Sequence, residues 1–299
     1  MKIVVAGGSG FLGGPLVRRL VARGDDVAVL SRNPSKVTAG RGVRWDGKTA
    51  GPWTAEIDDA HAVVNLAGEN IGEGRWTSER KRKLHDSRVD ATGALAWALL
   101  RAPARKRTLV SASAVGYYGF ESDEPLDESA PKGRGFLADL TAAWEEAAKR
   151  AEPAARVVIP RFGVVLATDG GALPKMAMPF RIGAGGPVGN GRQWFSWVDR
   201  DDALDAIQWA LDGEGVRGVY NISAPDPVRN RDFARSLGRA LHRPSLIPAP
   251  AFALRLLFGD MADEALLGGQ RALPKRALAE GFVFCHDKVE NELQRLFTT

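Results

Sequence analysis

Met1-Lys2-Ile3-Val4-Val5-Ala6-Gly7-Gly8-Ser9-Gly10-Phe11-Leu12-Gly13 opens the chain, and its reading decides the fold. A short apolar run from Ile3 to Ala6 stops at a cluster of glycines, as a buried strand does before a tight turn. From Phe11 to Arg23, Leu12, Leu16 and Leu20 recur four apart and fall on one face of a helix. Gly24, free to take a left-handed conformation, ends that helix. Gly7, Gly10 and Gly13 therefore stand at a G-x-x-G-x-x-G spacing between a strand and a helix. Glycines let the backbone turn sharply and approach a pyrophosphate, whose charge is met by free N–H groups and the positive helix end. The spacing alone is a weak signal; its place in the chain makes Gly7, Gly8, Ser9, Gly10, Phe11 and Leu12 candidates for a dinucleotide cradle.

Further strand-length apolar runs follow, at Val27 to Leu30, Ala62 to Leu66, Thr108 to Ser111, Val157 to Ile159 and Val219 to Ile222. Amphipathic stretches separate them, which is the pattern of βαβ units around a parallel sheet. The fold class expected is α/β, a Rossmann-type doubly wound parallel sheet with a smaller C-terminal cap on the substrate side. Residues 1–168 form the nucleotide-binding domain in this scheme, and the strand and helix near 195–224 return to it. From Asp169 the texture turns to glycine and proline, which reads mostly as loop. The cap takes 169–194 and 225–299, with a final helical segment containing Leu254, Leu256, Leu257 and Phe258.

The end of the second strand, Leu30-Ser31-Arg32-Asn33-Pro34, distinguishes between cofactors. An acidic residue there accepts hydrogen bonds from a ribose 2′-hydroxyl, whereas Ser31 and Arg32 offer a hydroxyl and a guanidinium to a 2′-phosphate. The expected cofactor is accordingly NADP(H). Asn65-Leu66-Ala67-Gly68, closing the third of these strands, lies where its backbone lines the carboxyl end of the sheet.

Composition narrows the classes. The chain has 299 residues, of which 44% are hydrophobic and 26% charged, ordinary for a globular protein. No apolar run approaches the roughly 20 residues needed to span a bilayer, so no membrane partner is expected and the location expected is cytoplasmic. One cysteine, Cys285, excludes an internal disulfide, and the dispersed His61, His85, His242 and His286 lack metal-ligand spacing, so no metal site is expected. The net charge of +5 includes a basic run, Glu79-Arg80-Lys81-Arg82-Lys83, which reads as a solvated helix face and gives no nucleic-acid partner. A small-molecule substrate is expected.

Taken together, the glycine turn, Asn65-Leu66-Ala67-Gly68-Glu69-Asn70-Ile71, Ser87-Arg88, Ser113-Ala114-Val115-Gly116-Tyr117-Tyr118-Gly119, Phe136-Leu137-Ala138, Trp144-Glu145 and Gly163-Val164-Val165-Leu166 resemble the extended short-chain dehydrogenase/reductases. Within them the match is to the atypical "epimerase family protein" group, subfamily 39U. Its C-terminal module of unknown function is matched by Met261-Ala262, Leu266-Leu267-Gly268-Gly269-Gln270-Arg271 and Gly281-Phe282, within 245–299. The resemblance implies NADP(H) on a Rossmann fold, with Arg88 as a second cofactor contact, Val164 as a backbone contact near the nicotinamide, and a possible homodimer.

Hydride transfer in that superfamily normally uses Ser, Tyr and Lys, the last two as Y-x-x-x-K on one helix face, where the ammonium lowers the phenol pKa. The aligned positions here are Phe136 and Leu140, neither of which transfers a proton. Ser113 matches the serine position, and Tyr117 is the candidate replacement donor, with Tyr118 beside it and Lys175 the nearest cation by motif context. Two functions compete. One is an NADP(H)-dependent oxidoreductase or epimerase-like enzyme acting on a small hydroxyl or carbonyl compound; the other is a non-catalytic NADP(H)-binding sensor or scaffold.

Overall fold

The structure, a computed structural model, describes residues 1–298. Seven parallel strands make its centre: β1 (Lys2–Ala6), β2 (Asp26–Ser31), β3 (Arg41–Arg44), β4 (Ala62–Asn65), β5 (Thr108–Ser111), β6 (Arg156–Phe162) and β7 (Gly218–Ile222). Their order across the sheet is β7-β6-β5-β4-β1-β2-β3, so the direction of winding reverses between β1 and β4. A crevice at the carboxyl ends of the strands opens at such a reversal.

The longer helices are α1 (Gly13–Ala22), α2 (Ser78–Arg101), α3 (Phe136–Lys149), α4 (Leu173–Arg181), α5 (Arg200–Asp212), α6 (Asn230–Ala240), α7 (Ala251–Phe258) and α8 (Val289–Thr298). Alternate residues of each central strand serve opposite layers. Ile3 and Val5 pack with Leu16 and Leu20 of α1 and Leu204 and Ile207 of α5, while Val4 and Ala6 pack with Leu95 and Leu99 of α2 and Ala148 of α3. Burial on both faces is why these strands read as continuous apolar runs rather than alternating ones. At the end of α1, Gly24 sits at φ +91° with its N–H donated to Val21 O, and the Asp25 N–H returns to Leu20 O. That left-handed closure is the one its glycine was expected to make.

Four elements depart from the sequence expectation, among them α6, which it lacked, and α8, which follows the segment expected as the final helix. Strand β3 was absent from it, because Arg-Gly-Val-Arg carries no apolar run; as the edge strand it needs none, and its charges guard the open edge. The stretch after Asp169, expected as loop, contains α4, which starts on Leu173-Pro174 and buries Leu173, Ala177 and Phe180 on one face. Pro174 fits a first turn, where no N–H is needed. β7 pairs with β6 in the central sheet, and α5 packs on it.

The remaining elements pair outside the central sheet. Trp194–Phe195 pairs antiparallel with Val228–Arg229, and Arg271–Ala272 pairs with Pro125–Leu126. Leu173 and Phe180 of α4, Phe233 and Leu237 of α6 and Leu293 of α8 share one core with Phe195 and Trp197. Those aromatics are therefore packing residues.

Candidate functional site

The turn between β1 and α1 tolerates only glycine at two places. Gly7 lies at φ +77°, and a Cβ there would stand 2.7 Å from the Leu66 carbonyl carbon. A Cβ on Gly13 would stand 2.1 Å from Gly7 O, so the turn is folded onto itself and against the end of β4. The Gly10 N–H closes it on Gly7 O at 2.9 Å. Leu12 caps α1 with no side-chain hydrogen bond, and the first turn holds no acidic residue, so the positive helix end stays open to an anion.

A cleft of about 370 Å³ lies over this turn, lined by Gly8, Ser9, Gly10 and Phe11 together with Arg18, Lys36 and Arg200. The Phe11 ring packs under Gly170 and Gly171, where any side chain would collide with it. Arg200 is paired with Asp169 and stacks 5.5 Å from the Phe11 ring centre. Sequence reasoning missed all three cations. Arg18 had a signal, since it stands one helical turn beyond Gly14; Lys36 and Arg200 reach the cleft only through the fold.

Ser31 ends β2 and accepts the Asn33 N–H at 3.1 Å. The Arg32 side chain is 80% exposed, with its guanidinium 3.7 Å from Glu69 Oε1. The other Glu69 oxygen lies 3.4 Å from Arg80. Neither Ser31 nor Arg32 lines the cleft itself, but both stand at the carboxyl end of the strand next to the glycine turn.

Asn65 is fully buried. Its amide donates to Thr92 Oγ1 at 2.8 Å and to Ser111 Oγ at 3.2 Å, and its carbonyl accepts the Ala67 N–H at 3.2 Å. The side chain thus shapes the Leu66-Ala67-Gly68 backbone that backs the glycine turn. Arg88 sits beneath Gly68, donating to Leu84 O and Glu69 O and stacking 5.2 Å from the Trp144 ring centre. Burial lowers its pKa to about 10, and the charge it keeps is spent on the loop. Val164 donates its N–H to Ser196 O at 2.8 Å and belongs to a separate short strand, Val164–Leu166, paired with Trp197–Asp199.

The residues named for chemistry meet in a buried network. Ser113, 3% exposed, donates its hydroxyl to Glu145 Oε1 at 2.6 Å. Arg161 donates to both oxygens of Glu145, Nε at 2.7 Å and Nη2 at 2.8 Å. Its Nη1 reaches the Tyr118 hydroxyl at 2.9 Å, and that hydroxyl donates to Asn221 Oδ1 at 2.8 Å. The guanidinium carbon lies 3.4 Å from the Tyr117 ring centre. Burial raises the Tyr118 phenol pKa despite the adjacent cation, which favours the neutral hydroxyl. Sequence reading had Glu145 only as part of a motif and gave Arg161 no role; a charge in the middle of a buried strand was the available signal. Phe136 and Leu140 lie in an apolar cluster with Trp76, Leu84 and Met261. Lys175 is remote from this network in its bonding: it donates to Gly72 O at 3.1 Å.

Among the described residues, no group of His, Cys, Asp and Glu is arranged to hold a metal ion, and no helix is long and apolar enough to cross a membrane.

Comparison with known proteins matches residues 3–223 to the NAD dependent epimerase/dehydratase family and residues 249–296 to a domain of unknown function, DUF1731. The chain is 39% identical to epimerase family protein Mb2239 of Mycobacterium bovis, over 97% of this chain and 96% of that one. It is 36% identical to human epimerase family protein SDR39U1, over 99% of each. A crystal structure of human SDR39U1 (isoform 2) with NADPH superposes with a TM-score of 0.91 at 34% identity, covering both chains completely. The resemblance read from the motifs is borne out, C-terminal module included.

Proposed function

Because the chain belongs to the NAD dependent epimerase/dehydratase family, we propose that it is an NADP(H)-dependent oxidoreductase or epimerase-like enzyme acting on a small hydroxyl or carbonyl compound. The observation that carries this reading is the glycine turn at Gly7 to Gly13, whose geometry leaves backbone N–H groups and an uncapped helix end beneath a cleft with three cations. A diphosphate fits that donor set. Arg32, exposed at the end of β2, supplies the guanidinium for a 2′-phosphate. The NADPH held by the human relative supports the same cofactor here. The nicotinamide, when bound, donates or accepts a hydride; the chain's residues orient it and manage the proton.

Of those residues, Tyr117 is the proposed proton donor. The Arg161 guanidinium, with its carbon 3.4 Å from the ring centre, holds the Tyr117 ring in place by a cation–π contact. Ser113 acts as a positioning residue in this scheme, because its own proton is directed at Glu145. The same bond favours the second reading, a non-catalytic NADP(H)-binding protein, since Phe136 and Leu140 are packed and Ser113 is committed. A turnover assay separates the two. Purified protein with NADPH and a panel of aldehydes, ketones and keto sugars is followed at the nicotinamide absorbance. Oxidation that Tyr117→Phe abolishes supports the enzyme; no oxidation with any member, at saturating cofactor, favours the sensor.

A further inference from the structure

α7 has no buried residue, although its sequence is Ala-Phe-Ala-Leu-Arg-Leu-Leu-Phe. Phe252 is 74% exposed and Leu256 73%, one helical turn apart and so on one face. The segment before it adds Leu246 and Ile247, and the end of α4 adds Ile182. The Ile247 N–H donates to Gly185 O at 3.1 Å and the Ala249 N–H to Pro187 O at 2.9 Å, so the segment leading into α7 runs beside the loop that leaves α4. A patch of large apolar side chains standing in water marks an interaction surface.

Charge says what covers it. α6 exposes Arg231, Arg235 and Arg239 at every fourth position, a single cationic face. That ridge continues to Arg243, whose N–H donates to Gly238 O at 2.8 Å, and the chain then enters the apolar patch at Leu246. Residues 229–258 contain six arginines and one acidic residue, Asp232; Arg229 and Arg255 are paired with Asp123 and Asp263 of other segments, and Arg231 and Arg235 flank Asp232. Arg239 and Arg243 have no ion-pair partner among the described residues.

We propose that this face of the cap seats on an anionic lipid surface, with Phe252, Leu256 and Ile247 entering the headgroup boundary and the arginines meeting lipid phosphates. A second copy is a poorer occupant, because a two-fold contact would set two arginine ridges against each other. Side chains as exposed as Phe252 and Leu256 stand free rather than walling a groove, which suits a fluid medium that closes round each one. The contact is peripheral, since no described helix crosses a membrane. The sequence expectation of no membrane partner rested on absent spans alone and did not weigh such a contact.

Co-sedimentation of the full chain with vesicles tests this. The protein should pellet with phosphatidylglycerol mixed into phosphatidylcholine, pellet little with phosphatidylcholine alone, and lose binding as salt rises. Phe252→Ser with Leu256→Ser, and separately Arg239→Glu with Arg243→Glu, should each lower partitioning by at least about tenfold, with the unfolding midpoint and NADPH titration unchanged. Failure to pellet with the anionic vesicles, or pelleting equal in wild type and both variants, overturns the proposal. So does a dimer in sedimentation velocity that the Phe252 and Leu256 changes dissolve, or capture by an acidic polypeptide with no affinity for lipid.

Discussion

Ser113 gives its hydroxyl proton to Glu145 at 2.6 Å, and both are almost fully buried with Arg161 closing the pair. The position that the superfamily uses to orient substrate is therefore tied, in this chain, into an ion pair beneath the two tyrosines. Removing one partner of a buried pair leaves an uncompensated charge. Glu145→Ala should cost about 3–5 kcal/mol of stability, and Ser113→Ala only about 1–2 kcal/mol, as read by chemical denaturation. Equal, small effects would mean the network is wet and weakly coupled.

Gly13→Ala addresses the turn. Its Cβ has nowhere to go with Gly7 O at 2.1 Å, so the turn must open. Destabilisation of about 1–3 kcal/mol is expected, together with loss of saturable NADPH binding. A variant that folds and titrates like wild type would show that the turn yields easily and that its shape is not what holds the cofactor.

Arg32→Asp addresses the third phosphate. NADPH affinity should fall by at least about tenfold, while NADH affinity holds or improves, since the new carboxylate suits a ribose hydroxyl. Fluorescence titration with both nucleotides reads the ratio directly. A parallel loss for both would remove Arg32 from the site.

The C-terminal helix α8 brings a pH dependence. Glu292 lies buried beside Asp199, with Arg295 donating to both and His286 Nδ1 3.1 Å from Glu292. Burial, reinforced by Asp199 and opposed by Arg295, pushes the Glu292 pKa from 4.5 up to about 7. Between these values the folded state holds a proton that the unfolded chain has lost. Stability from this group is therefore greatest below pH 4.5 and declines as pH rises toward 7, by on the order of 2 kcal/mol once the partly exposed Arg295 is allowed for. Comparing Tm across that window, Glu292→Gln should flatten the slope; an unchanged slope would place the titration elsewhere.

Much of the fold was legible because β1, β4 and β5 are buried on both sides and must read as apolar runs. β3 was not, since an edge strand has no such requirement, and α4 was hidden by two prolines, Pro174 in its first turn and Pro179 inside it near its end. The glycine turn could be read locally: its constraint lies within Gly7 to Gly13 and the neighbouring Leu66. The buried network could not. Ser113, Glu145 and Arg161 come from three different elements and meet only when β6 and α3 pack, so sequence offered Ser113 and Tyr117 without the ion pair that governs them. For the same reason the bond from Arg88 to Glu69 O was not legible in the sequence.

Isothermal calorimetry of the folded chain with NADPH and with NADH tests the central claim most directly. The account expects saturable binding of one NADPH per chain, tighter than NADH. No heat with either nucleotide, from protein shown to be folded, would contradict it.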